Sequence, residues 1–208
     1  ADKCGTSGDF IADAKRKGYE VVYTKKALDG VVAKGSKKIL GLFAPKGKTP
    51  ELFRLYPEEN YRAEEPTLPQ MTAAALETVE KDEDGFFLLV EGSQIDWASH
   101  RNDIAYQISE TLAFDETVKV VLDWINEEPN RRQNTLVIIS ADHETGGFAI
   151  SGAKGRKYKR GDIVDHGWTS TGHTAEDVLI WSQGPGSQHL GRAVDNTDLY
   201  KVMRKVLK

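Results

Sequence analysis

Residues 135–147 read Thr-Leu-Val-Ile-Ile-Ser-Ala-Asp-His-Glu-Thr-Gly-Gly. The first part is a continuous run of aliphatic and β-branched side chains, the pattern of a strand covered on both faces. It stops at Asp142 and His143, two groups that do not belong inside an apolar strand, and then at glycines that permit tight turns. In an open α/β sheet ligands sit in the crevice beyond the strand ends, and an Asp-His pair at that position can point into it. A loop that carries only a turn carboxylate has the same appearance.

Working outward, Gly85–Val90 is a second unbroken apolar run, and Val178–Trp181, ended by Gln-Gly-Pro-Gly, is a third. Between the first two, Ile104–Ile125 has helical spacing, with Ile108, Leu112, Val118, Val121, Leu122 and Ile125 as its apolar positions. That length suits a crossover helix, so the segments 85–90, 135–140 and 178–182 are expected in one largely parallel sheet. Toward the N-terminus, Phe10–Lys17 reads as a helix stopped by Gly18, and Tyr19–Tyr23 and Lys38–Ala44 read as extended pieces. Pro69–Val79 and Asp198–Leu207 have helical patterns. Residues 45–66, rich in proline, glycine and charge, and the basic stretch 151–167 read as surface connections. The fold class these signals imply is α/β, a three-layer αβα arrangement around a largely parallel sheet.

Composition narrows the functional classes. The chain has 208 residues, 39% of them hydrophobic, with 28 basic and 32 acidic side chains for a net charge of −4. No strongly basic field exists to hold a nucleic acid non-specifically. The apolar runs fall far short of a membrane span. The N-terminus has no apolar h-region and does not read as a signal peptide. A single cysteine, Cys4, leaves the redox compartment undecided.

Two further segments carry chemistry. In Glu91-Gly-Ser-Gln-Ile-Asp96-Trp97-Ala-Ser-His100, Asp96 and His100 stand four apart and on a helix share a face, offering a carboxylate and an imidazole as zinc ligands. Glu91, at a strand end, suits a harder ion such as Mg²⁺. Read alone, Asp96 could equally be a helix cap and His100 a half-buried polar residue. In Thr171-Gly-His173-Thr-Ala-Glu-Asp, a histidine sits in a Gly/Thr loop just before the third apolar run. A lone histidine there is ordinarily solvated, as His166 and His189 are expected to be. Together, however, three histidines and three carboxylates all border one sheet edge. Imidazole and carboxylate without cysteine suit catalytic zinc, and a nearby Glu suggests a multi-metal site of the kind that clamps a phosphoryl displacement.

These three segments resemble the metal-binding motifs of alkaline phosphatases. The pieces Leu-Gly-Leu-Phe-Ala at 40–44, Pro-Thr-Leu at 66–68 and Gly-Phe-Phe-Leu-Leu-Val-Glu at 85–91 fit in the same order. The resemblance implies that Asp96, His100 and His173 hold one zinc, Asp142 and His143 a second, and Glu91 a magnesium, with Trp97 near that third site. It implies phosphomonoester hydrolysis through a phosphoserine intermediate, a phosphate monoester as substrate, a homodimer as the candidate assembly, and a periplasmic or extracellular location.

One departure qualifies the picture. In this family the nucleophilic serine lies in an Asp-Ser-Ala-like motif of the N-terminal half, along with a shared Asp, a Thr or Ser for the third ion, and a phosphate-gripping Arg. No Asp-Ser dipeptide occurs in this chain. The sequence therefore reads as the C-terminal half of one alkaline-phosphatase-like domain, supplying metal ligands but no catalytic nucleophile, and inactive or nearly so in isolation. Two rival readings are a non-catalytic metal-binding module and another metal-dependent phosphatase or phosphodiesterase of the same superfamily.

Overall fold

The computed structural model describes residues 8–55, 63–152 and 155–207, so Cys4 lies outside the described residues. The chain divides into two compact units, 1–90 with 116–121, and 91–115 with 122–208. In the first unit, α1 (Phe10–Arg16) is capped by the Asp9 carboxylate, which accepts from the Ala12 amide, and Gly18 ends it at a φ of 81°. Strand β1 (Glu20–Val22) pairs in parallel with β2 (Ile39–Gly41), joined by the crossover helix α2 (Lys25–Ala33). Nothing in the sequence reading anticipated α2, yet its buried Leu28, Val31 and Val32 build the core of this unit with Val22, against Ile39, Phe43, Met71 and Ala74. Short α3 (Glu51–Leu55) precedes α4 (Leu68–Val79), which starts at a capping box. There Thr67 and Gln70 satisfy each other's backbone amides.

The 45–66 segment is not wholly a surface connection. Glu65 is buried, accepts from the Thr49 amide at 2.8 Å, and faces the Arg54 guanidinium at 3.5 Å. A charge withdrawn from water needs such partners, and polar composition alone does not show that they exist.

The second unit contains α5 (Gln94–His100), most of α6 (Ile104–Glu127), and α7 (Pro129–Asn134). It then contains β3 (Val137–Ile139), β4 (Glu144–Thr145), β5 (Ala149–Ser151), β6 (Asp165–Gly167), β7 (His173–Thr174), β8 (Trp181–Gln183) and α8 (Asn196–Val206). Here the expected sheet is not what forms. Among the described residues β3 pairs with β8, β4 with β7 and β5 with β6, each antiparallel, and only β1–β2 is parallel. The reason is the connection. The β5–β6 pair is nested within β4–β7, and that within β3–β8, so each pair closes antiparallel around the same reversal of the chain.

Gly85–Val90 makes no ladder among the described residues. Instead of being covered on both faces, it alternates, with Phe87 at 60% and Leu89 at 77% exposure. Ile108 and Leu112 of α6 are likewise exposed.

Candidate metal centre

Four residues end α5 and begin α6. The Asp103 amide donates to the Ala98 carbonyl and the Asn102 amide to that of Ser99, a Schellman closure with Asn102 at a φ of 52° in the usual glycine place. Asp103 then caps α6 through the Tyr106 amide. At the other end of α5, the Tyr106 hydroxyl donates to Gln94. Burial, with the Glu110 carboxylate nearby, pushes that phenol up to about 12, so it remains a donor. Helix α5 is thereby pinned at both ends. Ala98 and Ser99 are buried, while Asp96 and His100, one turn apart, lie on the more open side.

Strand β4 brings the second motif beside this helix. A Cβ at Gly146 would lie 2.6 Å from the Trp168 ring and 3.1 Å from the Ser99 carbonyl, so only glycine lets the turn approach so closely. The β4–β7 register sets Thr145 opposite His173 and Glu144 opposite Thr174. Burial raises the Glu144 carboxyl, but the Thr174 hydroxyl and the amides of Gly147 and Phe148 outweigh it and hold the carboxyl below its ordinary range. That carboxylate ties the 144–148 turn to β7.

Three sequence segments thus meet. One ligand atom each from Asp96, His143 and His173 lies within 4.8 Å of the others. The group draws on both expected zinc sets. His100 adjoins it, its Nε2 3.4 Å from Asp96 Oδ1, and the His173 Nε2 is 3.6 Å from the same oxygen. These separations are too long for hydrogen bonds. They match what tetrahedral zinc requires, since bonds of ~2.0–2.1 Å put neighbouring ligand atoms about 3.3 Å apart. The imidazoles of His143 and His173 stack at 3.6 Å, and those of His100 and His173 lie 5.1 Å apart.

The ring nitrogens of His100 and His143 that face away from this focus are occupied. His100 Nδ1 is 2.6 Å from the Thr171 carbonyl, which can only accept, so Nδ1 carries the proton and Nε2 keeps a lone pair. The buried Thr145 hydroxyl donates to Asp96 Oδ1 at 2.6 Å, and its oxygen lies 3.1 Å from His143 Nδ1. Its single proton being given to the carboxylate, the hydroxyl accepts from His143 and leaves that Nε2 free as well. Such outer partners fix the tautomer and orientation of metal-ligating histidines. Two imidazole lone pairs, a shared carboxylate and completed outer bonds are a donor set that fits zinc.

The remaining candidates stand apart from this group. Asp142 is 87% exposed at its side chain, and its carboxylate is 3.4 Å from His143 Nε2. Glu91 and Trp97 are exposed and contribute no ligand atom to the group. His166 is exposed in β6 opposite Ile150, and His189 ends a 3₁₀ turn, as expected of uninvolved histidines. Thr145 and Thr171 escaped the sequence reading. Their only signal was a position within two residues of a candidate histidine.

A family model described as alkaline phosphatase matches residues 2–162. Alkaline phosphatase 4 of Bacillus subtilis is 29% identical over 264 residues, covering 96% of this chain and 54% of that protein. The alkaline phosphatase of Escherichia coli K12 is 32% identical, covering 93% and 46% respectively. The solved alkaline phosphatase of the Antarctic bacterium TAB5 superposes with a TM-score of 0.76 at 28% identity, over 96% of this chain and 55% of that one. A mutant of that enzyme is described with Mg bound in its M3 site. This chain spans about half the length of the curated relatives it matches.

Proposed function

The chain belongs to the alkaline phosphatase family, and on that premise we propose that it is the C-terminal part of a zinc- and magnesium-dependent phosphomonoesterase. Asp96, His100 and His173 would hold one zinc, Asp142 and His143 a second, and Glu91 the magnesium, with Trp97 beside it. The observation that carries this reading is Asp96 Oδ1 lying 3.4 and 3.6 Å from two imidazole Nε2 atoms, with the Thr145 hydroxyl bonded behind it.

Bound zinc supplies, in such a cage, positive charge against the oxygens of a transferring phosphoryl group. The side chains of this chain prepare the cage for it. Thr171 and Thr145 keep the protons of His100 and His143 on Nδ1, so neither Nε2 has to lose a proton on ligation. Asp96 brings the negative charge, and Glu144, bonded to Thr174, ties β4, which directly follows His143, to β7, which carries His173. The nucleophilic serine, the shared Asp and the phosphate-gripping Arg are assigned to the part of the protein that this sequence does not include. Hydrolysis would then run through a phosphoserine intermediate.

Exposed Phe87 and Leu89 in the segment 85–90 support the same division, as apolar side chains that further strands of an αβα sheet would cover. By family resemblance the whole protein is proposed to act on phosphate monoesters as a homodimer in the periplasm or outside the cell. No helix among the described residues is long and apolar enough to cross a membrane.

Turnover of p-nitrophenyl phosphate at alkaline pH with Zn²⁺ and Mg²⁺ tests the proposal. The chain by itself should show essentially none, because positioning alone can account for ~7–11 kcal/mol of a barrier and the groups that position phosphate are elsewhere. Adding the N-terminal portion in trans should restore activity, and His173→Ala should abolish it again. Robust turnover by the chain alone would place the nucleophile within it. A mixture that binds zinc but never turns over would favour a non-catalytic metal module.

A further inference from the structure

In sequence the basic stretch 151–167 reads as a surface connection. The structure makes it a hairpin built onto the metal centre. Strand β5 begins two residues after Gly147, and β6 leads through Trp168–Gly172 to His173. Its base is fixed by bonds from the Thr169 and Ser170 amides to the Gly146 carbonyl, 3.0 Å each, and from the Gly146 amide to the Gly172 carbonyl at 2.9 Å. The Phe148 and Trp168 rings pack at 4.7 Å across it. The hairpin is therefore held in a defined relation to the candidate ligands.

Its turn carries Arg156, Lys157, Lys159 and Arg160, all exposed, with no acidic residue between Gly155 and Gly161. None of the four joins an ion pair among the described residues. The nearest carboxylate in sequence, Asp162, accepts from the Lys159 backbone amide at 2.9 Å. In a chain of net charge −4, this is a concentrated positive island. Like charges packed together on a surface repel one another, and an anion laid across them relieves that repulsion.

Position then selects the kind of anion. The ladder of β5 and β6, three paired residues and roughly 10 Å long, lies between the ligand-bearing turn and the segment that carries the basic residues. A small monoester at the ligand group would feel the island only through a screened field, because the Debye length in physiological salt is ≈ 8 Å. An anion long enough to keep one end at the ligands and lay further charges on the turn would feel it fully. Nucleic acid fits less well. Sequence-tolerant binding of a strand relies on aromatic rings for bases to stack on, and the ring in this turn, Tyr158, already has the Arg156 guanidinium over it at 4.7 Å.

We propose that Arg156, Lys157, Lys159 and Arg160 form an anion-holding arm that favours substrates carrying a linear chain of phosphates, presenting the terminal group to the metal centre. The proposal rests on the phosphatase reading for what happens at that terminus, but binding by the arm does not need it. The test is calorimetric titration of short-chain linear inorganic polyphosphate into the chain with chelator present, at low and at physiological salt. Affinity should fall as salt rises, and the combined variant R156Q/K157Q/K159Q/R160Q should bind about tenfold more weakly or worse, by loss of four exposed charge contacts. The charge-keeping variant R156K/R160K should bind like the parent chain. Unchanged binding by the four-Gln variant overturns the proposal, as does tighter binding of a single-stranded DNA of equal charge. Polyphosphate binding that depends on the four residues, in a protein that never turns over p-nitrophenyl phosphate when completed in trans, upholds the arm and overturns the phosphatase reading instead.

Discussion

Replacing Thr145 by valine keeps the shape of a side chain that is only 7% exposed and removes one oxygen. That oxygen donates to Asp96 and receives the His143 ring proton, so one substitution releases two candidate ligands at once. Two consequences differ in size. A hydrogen bond to a charged group contributes about 1.5–3 kcal/mol when its loss leaves the charge unmet. Here the Asp96 side chain keeps 31% exposure, so water replaces the hydroxyl and the fold should lose only about 1 kcal/mol. Metal affinity has no such substitute, because water can satisfy the carboxylate but cannot hold an imidazole at a fixed angle. Outer partners of this kind are typically worth 10–100-fold in affinity. We therefore expect Thr145→Val to weaken zinc binding by one to two orders of magnitude, with little change in the melting temperature of the metal-free chain. Competition against a chromophoric chelator at constant pH reads the first, and thermal denaturation reads the second. Thr145→Ser, which retains the hydroxyl, should recover most of the affinity. Equal zinc affinity in the valine variant would refute the orienting role, and a serine variant as weak as valine would trace the effect to packing.

Two other outcomes follow from local geometry. Gly147 has a φ of 58°, and a Cβ there would fall 1.8 Å from Thr169 Oγ1, so Gly147→Ala should cost roughly 1–3 kcal/mol in denaturant unfolding. An unchanged midpoint would mean that the hairpin base repacks freely. The Asp195 carboxyl, which caps α8, is held below its ordinary value of 3.8 chiefly by the Thr197 amide and then by its hydroxyl. Because the folded-state value is the lower one, this contribution is complete above pH 3.8 and disappears as pH falls through the depressed value. Helical circular dichroism of the parent chain should therefore decline more steeply below pH 4 than that of Asp195→Asn, which caps without titrating. Parallel curves would rule out the cap as the titrating element.

Much of the candidate site was legible because metal chemistry restricts residue type. A carboxylate and an imidazole four apart, an Asp-His pair after an apolar run and a histidine in a Gly/Thr loop are local patterns, and each survives in a linear reading. The helices at 10–16, 68–79 and 104–127 were legible for a similar reason, since their caps and spacing act over a few residues. Helix α2 was missed because Gly30 and a β-branched pair, Val31 and Val32, weaken its propensity. Burial of Leu28, Val31 and Val32 overrides that weakness.

The residue types able to bind metal, their grouping in three short segments, and the family those segments resemble are all readable along the linear chain. The rest comes into being only on folding. The antiparallel pairing of β3 with β8, the register that seats His173 opposite Thr145, and the buried partner of Glu65 all depend on residues far apart in the chain. The proton positions on His100 and His143 are of the same kind, because a tautomer is fixed by whatever lies within about 3 Å of the ring. Thr171 reaches His100 across 71 positions of sequence, and Thr145 reaches Asp96 across 49. No periodicity or spacing encodes such contacts. They exist only once the strands have paired and the helix has been pinned against them.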